Sequence, residues 1–303
     1  MHMVSLQIQS VLYHNEKDGL VRALEGILNA LRVDGMVDGS CISELVVSYG
    51  DASEEPLFSN EEIRDLSERF SDNFKLRYRF FGENTGTAKG HNLLGADCAS
   101  DFMMIMNPDV LLSPSFFKEI MTPFFNMSEC VGITEGRQVP IEHPKEYDSA
   151  TGETSWASTA AAVFGTKDFR EIGGFDSGSF FMYCDDLDFS WRIKQLGKKI
   201  IYRPSAPVFH AKQLSVSGAW CPTAAEVYYS AEASIMMAYK WSQDARCANI
   251  INSFLHSPDL VYQKAAKAFL KRKDAGLLPQ QIDASHEVAT FVGDNYAEHR
   301  FAL

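Results

Sequence analysis

The sequence has no cysteine pair of the C-x-x-C kind. Cys41, Cys98, Cys130, Cys184, Cys221 and Cys247 stand at spacings that fit no zinc pattern. Six thiols in a chain of 303 residues are expected to be free and mostly buried, as in a reducing compartment. It also lacks long apolar runs. The longest, such as Phe102–Met106, stop at five residues, far short of the ~18 that span a bilayer. No signal-type stretch opens the chain, so a soluble cytoplasmic protein is expected. Positive charge is scarce: Lys plus Arg is 28 against 40 for Asp plus Glu, a net charge of −12. That balance argues against holding nucleic acid by counterion release. An anionic ligand would need a cation or local donors to offset the field.

What remains is ordinary globular material, 46% apolar, 22% charged and 12% aromatic. That excludes a disordered chain, a collagen and a coiled coil. At about 150 residues per domain the length suggests roughly two domains.

Through residue 210 or so, strand-like and helix-like segments alternate. Val4–Leu12, Glu44–Tyr49, Lys75–Phe81, Phe102–Met106 and Val131–Thr134 read as strands. Gly19–Leu31 has a helical period. Asn60–Phe70 reads as a helix capped by Asn60, and Thr87–Ala96 as a short one. Ser113-Pro114 is expected to start a helix reaching about Phe125, with Pro114 in its first position. Gly136–Ser155, with two prolines, reads as a long polar loop. Trp156, just beyond it, is a candidate substrate contact. Ala224–Trp241 and Asp259–Lys273 look helical with no strand between them. The alternation predicts a mostly parallel α/β sheet covered on both faces. Residues 1–215 would form this domain and residues 216–303 a helical C-terminal segment. Ligands of such sheets bind at the C-terminal strand ends, which directs attention to the residues after Val47, Phe81 and Met106.

Four constellations stand out. Asn107-Pro108-Asp109-Val110 follows an apolar strand. Asp109 there could hold a hard divalent ion together with substrate phosphates, or the segment could simply be a turn. Asp185-Asp186-Leu187-Asp188 opens a helix that ends at Gly197. These acids could be caps favoured by the helix dipole, or one could be a general base. His210 could ligate a metal or be structural, and His91 and His143 have no better claim. Gly82–Asn92 sets glycines and Lys89 before a helix, where backbone N–H groups can meet phosphate. It is neither a Walker loop nor G-x-G-x-x-G, and a plain strand-to-helix turn explains it equally.

Taken in order, Asp51, Asn84-x-Gly86 with Asn92, Asn107-Pro108-Asp109-Val110, Gly173-Gly174-Phe175-Asp176, Phe181-Met182-Tyr183 before Asp185-Asp186-x-Asp188, Trp191-Arg192 and His210 resemble the inverting family 2 glycosyltransferases of the GT-A fold. Within them the resemblance is to the branch that includes bacterial rhamnosyltransferases. The resemblance spans about Val4 to Lys212. It implies a Rossmann-like sheet flanked by helices, a nucleoside diphosphate sugar as donor and Mg2+ or Mn2+ as cofactor. It implies that Asp51 contacts the base or ribose and that Asn84, Gly86, Lys89, Asn92 and Asn107 belong to the substrate site. Asp109 and His210 would hold the metal. Asp186 would be the general base and Asp185 a sugar or acceptor contact, while Arg192 would reach the diphosphate or support its helix. The chain departs from the family in having Asp185-Asp186 for the commoner Glu-Asp, Asn107 for an acid, and Ser48–Ser53 without the usual Asp-Asn/Gly-Ser run.

The Asn-Pro-Asp-Val form tilts the donor toward dTDP-rhamnose, and a saccharide or lipid-linked saccharide of cell-surface polysaccharide synthesis is the implied acceptor. The basic amphipathic stretch Asp259–Lys273 admits contact with an anionic membrane at the inner face of the plasma membrane, or packing on the domain. Tyr228–Tyr239 reads as core or as a homodimer contact. Two alternatives remain. A nucleotidyltransferase would carry a Gly-rich basic loop where Tyr13-His14-Asn15-Glu16 stands. A non-catalytic, metal-dependent sugar-nucleotide-binding protein would bind donor without turning it over.

Overall fold

The computed structural model describes residues 3–38, 41–127, 130–141, 146–212, 216 and 221–292. The chain runs β1 (Val4–Leu12), α1 (Lys17–Asp38), β2 (Ile42–Asp51), α2 (Asn60–Phe70), β3 (Lys75–Phe80), α3 (Gly86–Gly95), β4 (Phe102–Met106), β5 (Val110–Leu112), α4 (Phe116–Met127) and β6 (Val131–Val139). It continues through β7 (Glu153–Thr154), β8 (Ala161–Gly165), α5 (Thr166–Glu171), α6 (Asp185–Gln195) and β9 (Lys199–His210) to α7 (Ala224–Lys240), α8 (Asp244–Leu255) and α9 (Leu260–Asp274). The boundary expected at residue 215 lies outside the described residues.

Two-residue periodicity explains the layers. Leu6 and Ile8 of β1, with Met104 and Met106 of β4, join α1 and α4 in one core. The alternate residues Met103 and Ile105 face a second core, where Phe164, Phe169, Phe175 and Phe189 cluster. Gln7 and Gln9 of β1 face that same side, and their amides donate to the Leu94 and His91 carbonyls of α3. Buried polar side chains thus find backbone partners. A third core packs Leu187 and Trp191 of α6 against Met236, Met237 and Trp241 of α7 and its end, and Phe269 of α9.

Among the described residues the strands form one sheet in the order β3-β2-β1-β4-β8-β6-β9-β5, with β7 on β9. β3, β2, β1 and β4 are parallel, as expected. β8 is antiparallel to both β4 and β6, and β5 and β7 are antiparallel to β9. The α/β class and the flanking helices are therefore as the sequence predicts, with a mixed rather than mostly parallel second half.

Several local expectations are corrected. The cap of α2 is Ser59: its Oγ accepts from Glu62 N at 3.2 Å and Glu62 Oε2 accepts from Ser59 N at 2.7 Å, a reciprocal capping box. α4 begins at Phe116, because Pro114 lies in the preceding turn that Phe116 N closes onto the Ser113 carbonyl. It continues past Pro123. Pro123 has no N–H for the Glu119 carbonyl, and Arg203 Nε donates to that carbonyl instead at 3.2 Å. The expected loop after Gly136 is shorter, because β6 runs to Val139 and β7 forms at Glu153–Thr154.

Candidate functional site

Strand register builds the first half of the site. β5 pairs antiparallel with β9 so that Val110 faces His210. This lays the Asn107-Pro108-Asp109 turn beside the end of β9, and Ala211 N donates to the Asp109 carbonyl at 3.1 Å. His210 Nε2 lies 3.3 Å from Asp109 Oδ1 and 3.4 Å from Asn107 Nδ2. The Asp109 side chain is 40% exposed while that of His210 is 10% exposed, so the carboxylate opens to solvent and the imidazole backs it.

This pair suits a divalent ion. An octahedral Mg2+ with bonds of about 2.1 Å sets adjacent ligand atoms roughly 3 Å apart, close to the observed separation. Carboxylate and imidazole are donors that Mn2+ also accepts. Among the described residues no group of three or more His, Cys, Asp or Glu gathers around an ion position. The remaining ligands would have to be phosphate oxygens and water, the usual situation for Mg2+.

The second half is the first turn of α6. Tyr183 (φ +69°) and Cys184 (φ +56°) are both left-handed immediately before the acid pair. Each such non-glycine residue costs about 1–3 kcal/mol. The segment is held by neighbours: Tyr183 Oη donates to Glu226 Oε1 of α7 at 2.9 Å, and Asp188 N donates to the Cys184 carbonyl at 2.8 Å. Asp185 Oδ2 accepts from Thr87 Oγ1 of α3 at 2.8 Å. Asp186 Oδ1 accepts from Leu187 N at 2.8 Å. Both acids are buried. Gly86, beside Thr87, has φ +66°, and a Cβ on it would stand 2.3 Å from the Phe181 carbonyl oxygen. Only glycine fits that approach. Asn84 Oδ1 accepts from Gly86 N at 3.2 Å, an Asx turn that shapes the same loop.

Residues 157–160 join the two halves, and nothing in the sequence pattern marks them. Ala157 N donates to Ser190 Oγ at 3.0 Å, and Ser190 Oγ donates to the Asp186 carbonyl at 2.8 Å. At the other end Asn107 N donates to the Ala160 carbonyl at 2.9 Å. Ser158 Oγ accepts from Gln138 Nε2 at 3.1 Å, and Gln138 Oε1 lies 2.7 Å from His210 Nδ1.

Other expected contacts have structural partners. Both polar atoms of the Asn92 amide bond the Phe175 backbone, at 2.7 and 2.8 Å. Arg192 bonds Asp188 and the Ile172 and Gly174 carbonyls, so it supports its helix. Asp51 is buried, accepts from Ser53 N at 3.0 Å, Leu57 N at 2.7 Å and the Tyr78 hydroxyl, and so shapes the loop after β2. Burial and then that bond to Asp51 push the Tyr78 phenol well above its ordinary range. Lys89 pairs with Glu83 at 2.6 Å on the surface. Trp156 is buried in the third core. His91 is buried, and burial pushes it down to about 3. His143 lies outside the described residues.

One buried ion network has no counterpart in the sequence reading. Lys240 Nζ sits 2.7 Å from Asp176 Oδ2 and 2.6 Å from Asp188 Oδ1, and Asp188 also binds Arg192 and Trp241 Nε1. Lys240 therefore ties the end of α7 to α6 through Asp188 and to the segment before α6 through Asp176. The apolar face of α9 packs inward through Ala265, Ala266 and Phe269, with Lys264 over the Tyr228 ring at 4.6 Å and Arg272 on the Gly178 carbonyl. Among the described residues no helix is long and apolar enough to cross a membrane.

No family model matches the chain. Over 68 residues, 22% of this chain and 24% of the relative, it is 34% identical to the rhamnosyltransferase WbbL of Escherichia coli (strain K12), so it matches about a quarter of that protein. Solved structures resemble it over most of its length. GalNAc-T7 with UDP, GalNAc and Mn2+ superposes with a TM-score of 0.59 at 12% identity, over 95% of this chain and 57% of that one. The mannosyltransferase PcManGT from Pyrobaculum calidifontis, in complex with GDP-Man and Mn2+, gives 0.56 at 15% identity, over 94% and 78%. Residues 1–349 of S. aureus TarS in complex with UDP-GlcNAc give 0.54 at 12% identity, over 89% and 73%. At such identities the likeness establishes the fold, which is the GT-A fold of these glycosyltransferases.

Proposed function

We propose that this chain is a metal-dependent inverting glycosyltransferase. It takes a sugar from a nucleoside diphosphate sugar and places it on a hydroxyl of a saccharide or lipid-linked saccharide acceptor of cell-surface polysaccharide synthesis. The observation that carries the reading is the Asp109–His210 pair, set by strand register at a strand end of this fold. Residues 1–215 would form the nucleotide-sugar-binding catalytic domain and residues 216–303 a helical C-terminal segment. The donor is read as dTDP-rhamnose, supported by Asn107-Pro108-Asp109-Val110 and by the short match to a rhamnosyltransferase.

Asp109 and His210 would hold Mg2+ or Mn2+. When bound, that ion neutralises charge developing on the leaving diphosphate. In a protein of net charge −12 it also offsets the overall field against an anionic donor. Asp186 accepts the proton of the acceptor hydroxyl as that oxygen forms its bond to the anomeric carbon. The bond from that carbon to the diphosphate oxygen breaks, and its electron pair leaves with the diphosphate. One displacement inverts the configuration. The leaving group needs no proton, so a single base suffices, unlike the two carboxyls of a glycosidase. Thr87 and the α3 turn hold Asp185 beside that base.

The test is Asp186→Asn with donor binding measured separately. kcat is expected to fall about 10²–10⁴-fold with donor affinity retained. Normal turnover would remove Asp186 from the role of base.

A further inference from the structure

Gln138 is a buried amide at the end of β6, and none of the roles implied by the family resemblance falls on it. β6 runs parallel to β9, with Gln138 in register with Val208, two residues before His210. The side chain is held at both ends. Its Nε2 donates to Ser158 Oγ at 3.1 Å, and its Oε1 faces His210 Nδ1 at 2.7 Å. An amide oxygen has no hydrogen to give. In this orientation the proton between the two residues belongs to Nδ1. A neutral imidazole with its proton on Nδ1 carries its lone pair on Nε2, and Nε2 is the nitrogen beside Asp109 and Asn107.

We infer that Gln138 is a positioning residue for the metal pair: it fixes the His210 tautomer and ring orientation so that the Nε2 lone pair faces Asp109. This rests on reading Asp109 and His210 as the metal ligands. An apolar side chain at 138 would leave the Nδ1 hydrogen buried without a partner. The ring would then keep its proton on Nε2 and donate it to Asp109, which closes the lone pair that an ion needs. Outer partners of this kind typically contribute 10–100-fold to metal affinity. Ser158 Oγ accepts from the same amide, so residues 157–160 connect this histidine to the first turn of α6 as well as to Asn107.

The experiment uses the full chain and Mn2+ alone, titrated by electron paramagnetic resonance into wild type, Gln138→Leu, Gln138→Glu and His210→Ala. Gln138→Leu is expected to weaken Mn2+ binding about 10–100-fold. Gln138→Glu still accepts from Nδ1 and is expected to restore it. Long-range 1H–15N correlation of the imidazoles in metal-free protein, at a pH where they are neutral, reads the tautomer directly. His210 should carry its proton on Nδ1 in wild type and on Nε2 in Gln138→Leu. If Gln138→Leu does not fold, the wild-type spectrum and Gln138→Glu still decide. A wild-type His210 protonated on Nε2 would overturn the inference. So would wild-type affinity in Gln138→Leu while His210→Ala loses the ion. Undiminished Mn2+ binding in His210→Ala would instead refute the metal-site reading on which the inference rests, whatever the tautomer.

Discussion

The Thr87 hydroxyl donates to Asp185 Oδ2 over 2.8 Å, so the first turns of α3 and α6 meet at the acid pair. Thr87→Val keeps the shape but removes a donor from a buried carboxylate. It is expected to lower stability by about 1–3 kcal/mol and to reduce turnover, while Thr87→Ser retains both. Urea unfolding and steady-state rates check this, and a wild-type midpoint in Thr87→Val would contradict it.

Two glycines with similar backbones should respond differently. Gly86 and Gly173 both have positive φ, but a Cβ at Gly86 meets the Phe181 carbonyl at 2.3 Å while one at Gly173 meets nothing within 4 Å. Gly173→Ala carries only the backbone penalty of about 1–2 kcal/mol. Gly86→Ala must also push α3 away from residue 181, and should lose more stability together with activity. Equal melting temperatures for the two variants would show that the close approach does not matter.

The buried His91 makes stability depend on pH. Burial lowers it to about 3 in the folded state, whereas the unfolded chain protonates near 6.5. Between those values the unfolded state binds the extra proton, so stability is full above about 6.5 and declines as pH falls. One such group gives a slope approaching 1.4 kcal/mol per pH unit, roughly. His91→Gln should flatten the decline between about pH 6.5 and 5, where carboxylates contribute little. An unchanged slope in urea titrations would refute this.

Lys240 stands between two acids, Asp176 and Asp188. Burial alone would raise the Asp176 carboxyl, but Lys240 and Ser179 outweigh it and hold it below its ordinary range. Its stabilisation is therefore present above about pH 3.9 and is lost as pH falls below that. Lys240→Met should cost about 3–5 kcal/mol at neutral pH. Without that cation Asp176 is protonated more easily, so mild acid should recover part of the loss. Chemical denaturation of variant and wild type across pH checks both, and a deficit relative to wild type that does not shrink in acid would contradict the Lys240–Asp176 pairing as its cause.

Ser59→Ala should cost about 0.5–2 kcal/mol, because Ser59 caps α2. Asn60→Ala, at the position the sequence pattern nominates, should change little. The reverse order in thermal unfolding would restore Asn60 as the cap.

That last pair shows what the sequence made legible. β1, β4, α2 and α7 are legible nearly to the residue, because each carries a local signal of its own: a β-branched and aliphatic run, a continuous apolar run, first-turn acids and an apolar helix-forming stretch. β8 does not stand out in the sequence because it opens on Ala161-Ala162, which have no strand signature, and becomes a strand by pairing with β4 and β6. β9 was missed because Pro204 and Pro207 break its pattern, and the register shifts between Gly136 and Arg137, opposite Arg203 and Pro207. Those two strands and β5 bring His210 to Asp109, so the pairing of candidates far apart in sequence was invisible to local patterns. Asn92, Arg192 and Asp51 carry motif positions, yet their side chains hold the protein's own loops and turns. A motif marks such a residue without saying whether it faces the ligand.

Under the proposed function, Asp109 and His210 together would hold an ion that in turn holds a nucleoside diphosphate sugar. Calorimetric titration of dTDP-, UDP- and GDP-sugars into wild type, Asp109→Ala and His210→Ala, each with and without Mn2+, addresses it directly. Wild type should bind at least one donor only when Mn2+ is present, and both variants should lose that dependence. Donor binding that is the same with and without Mn2+, or untouched in both variants, would contradict it.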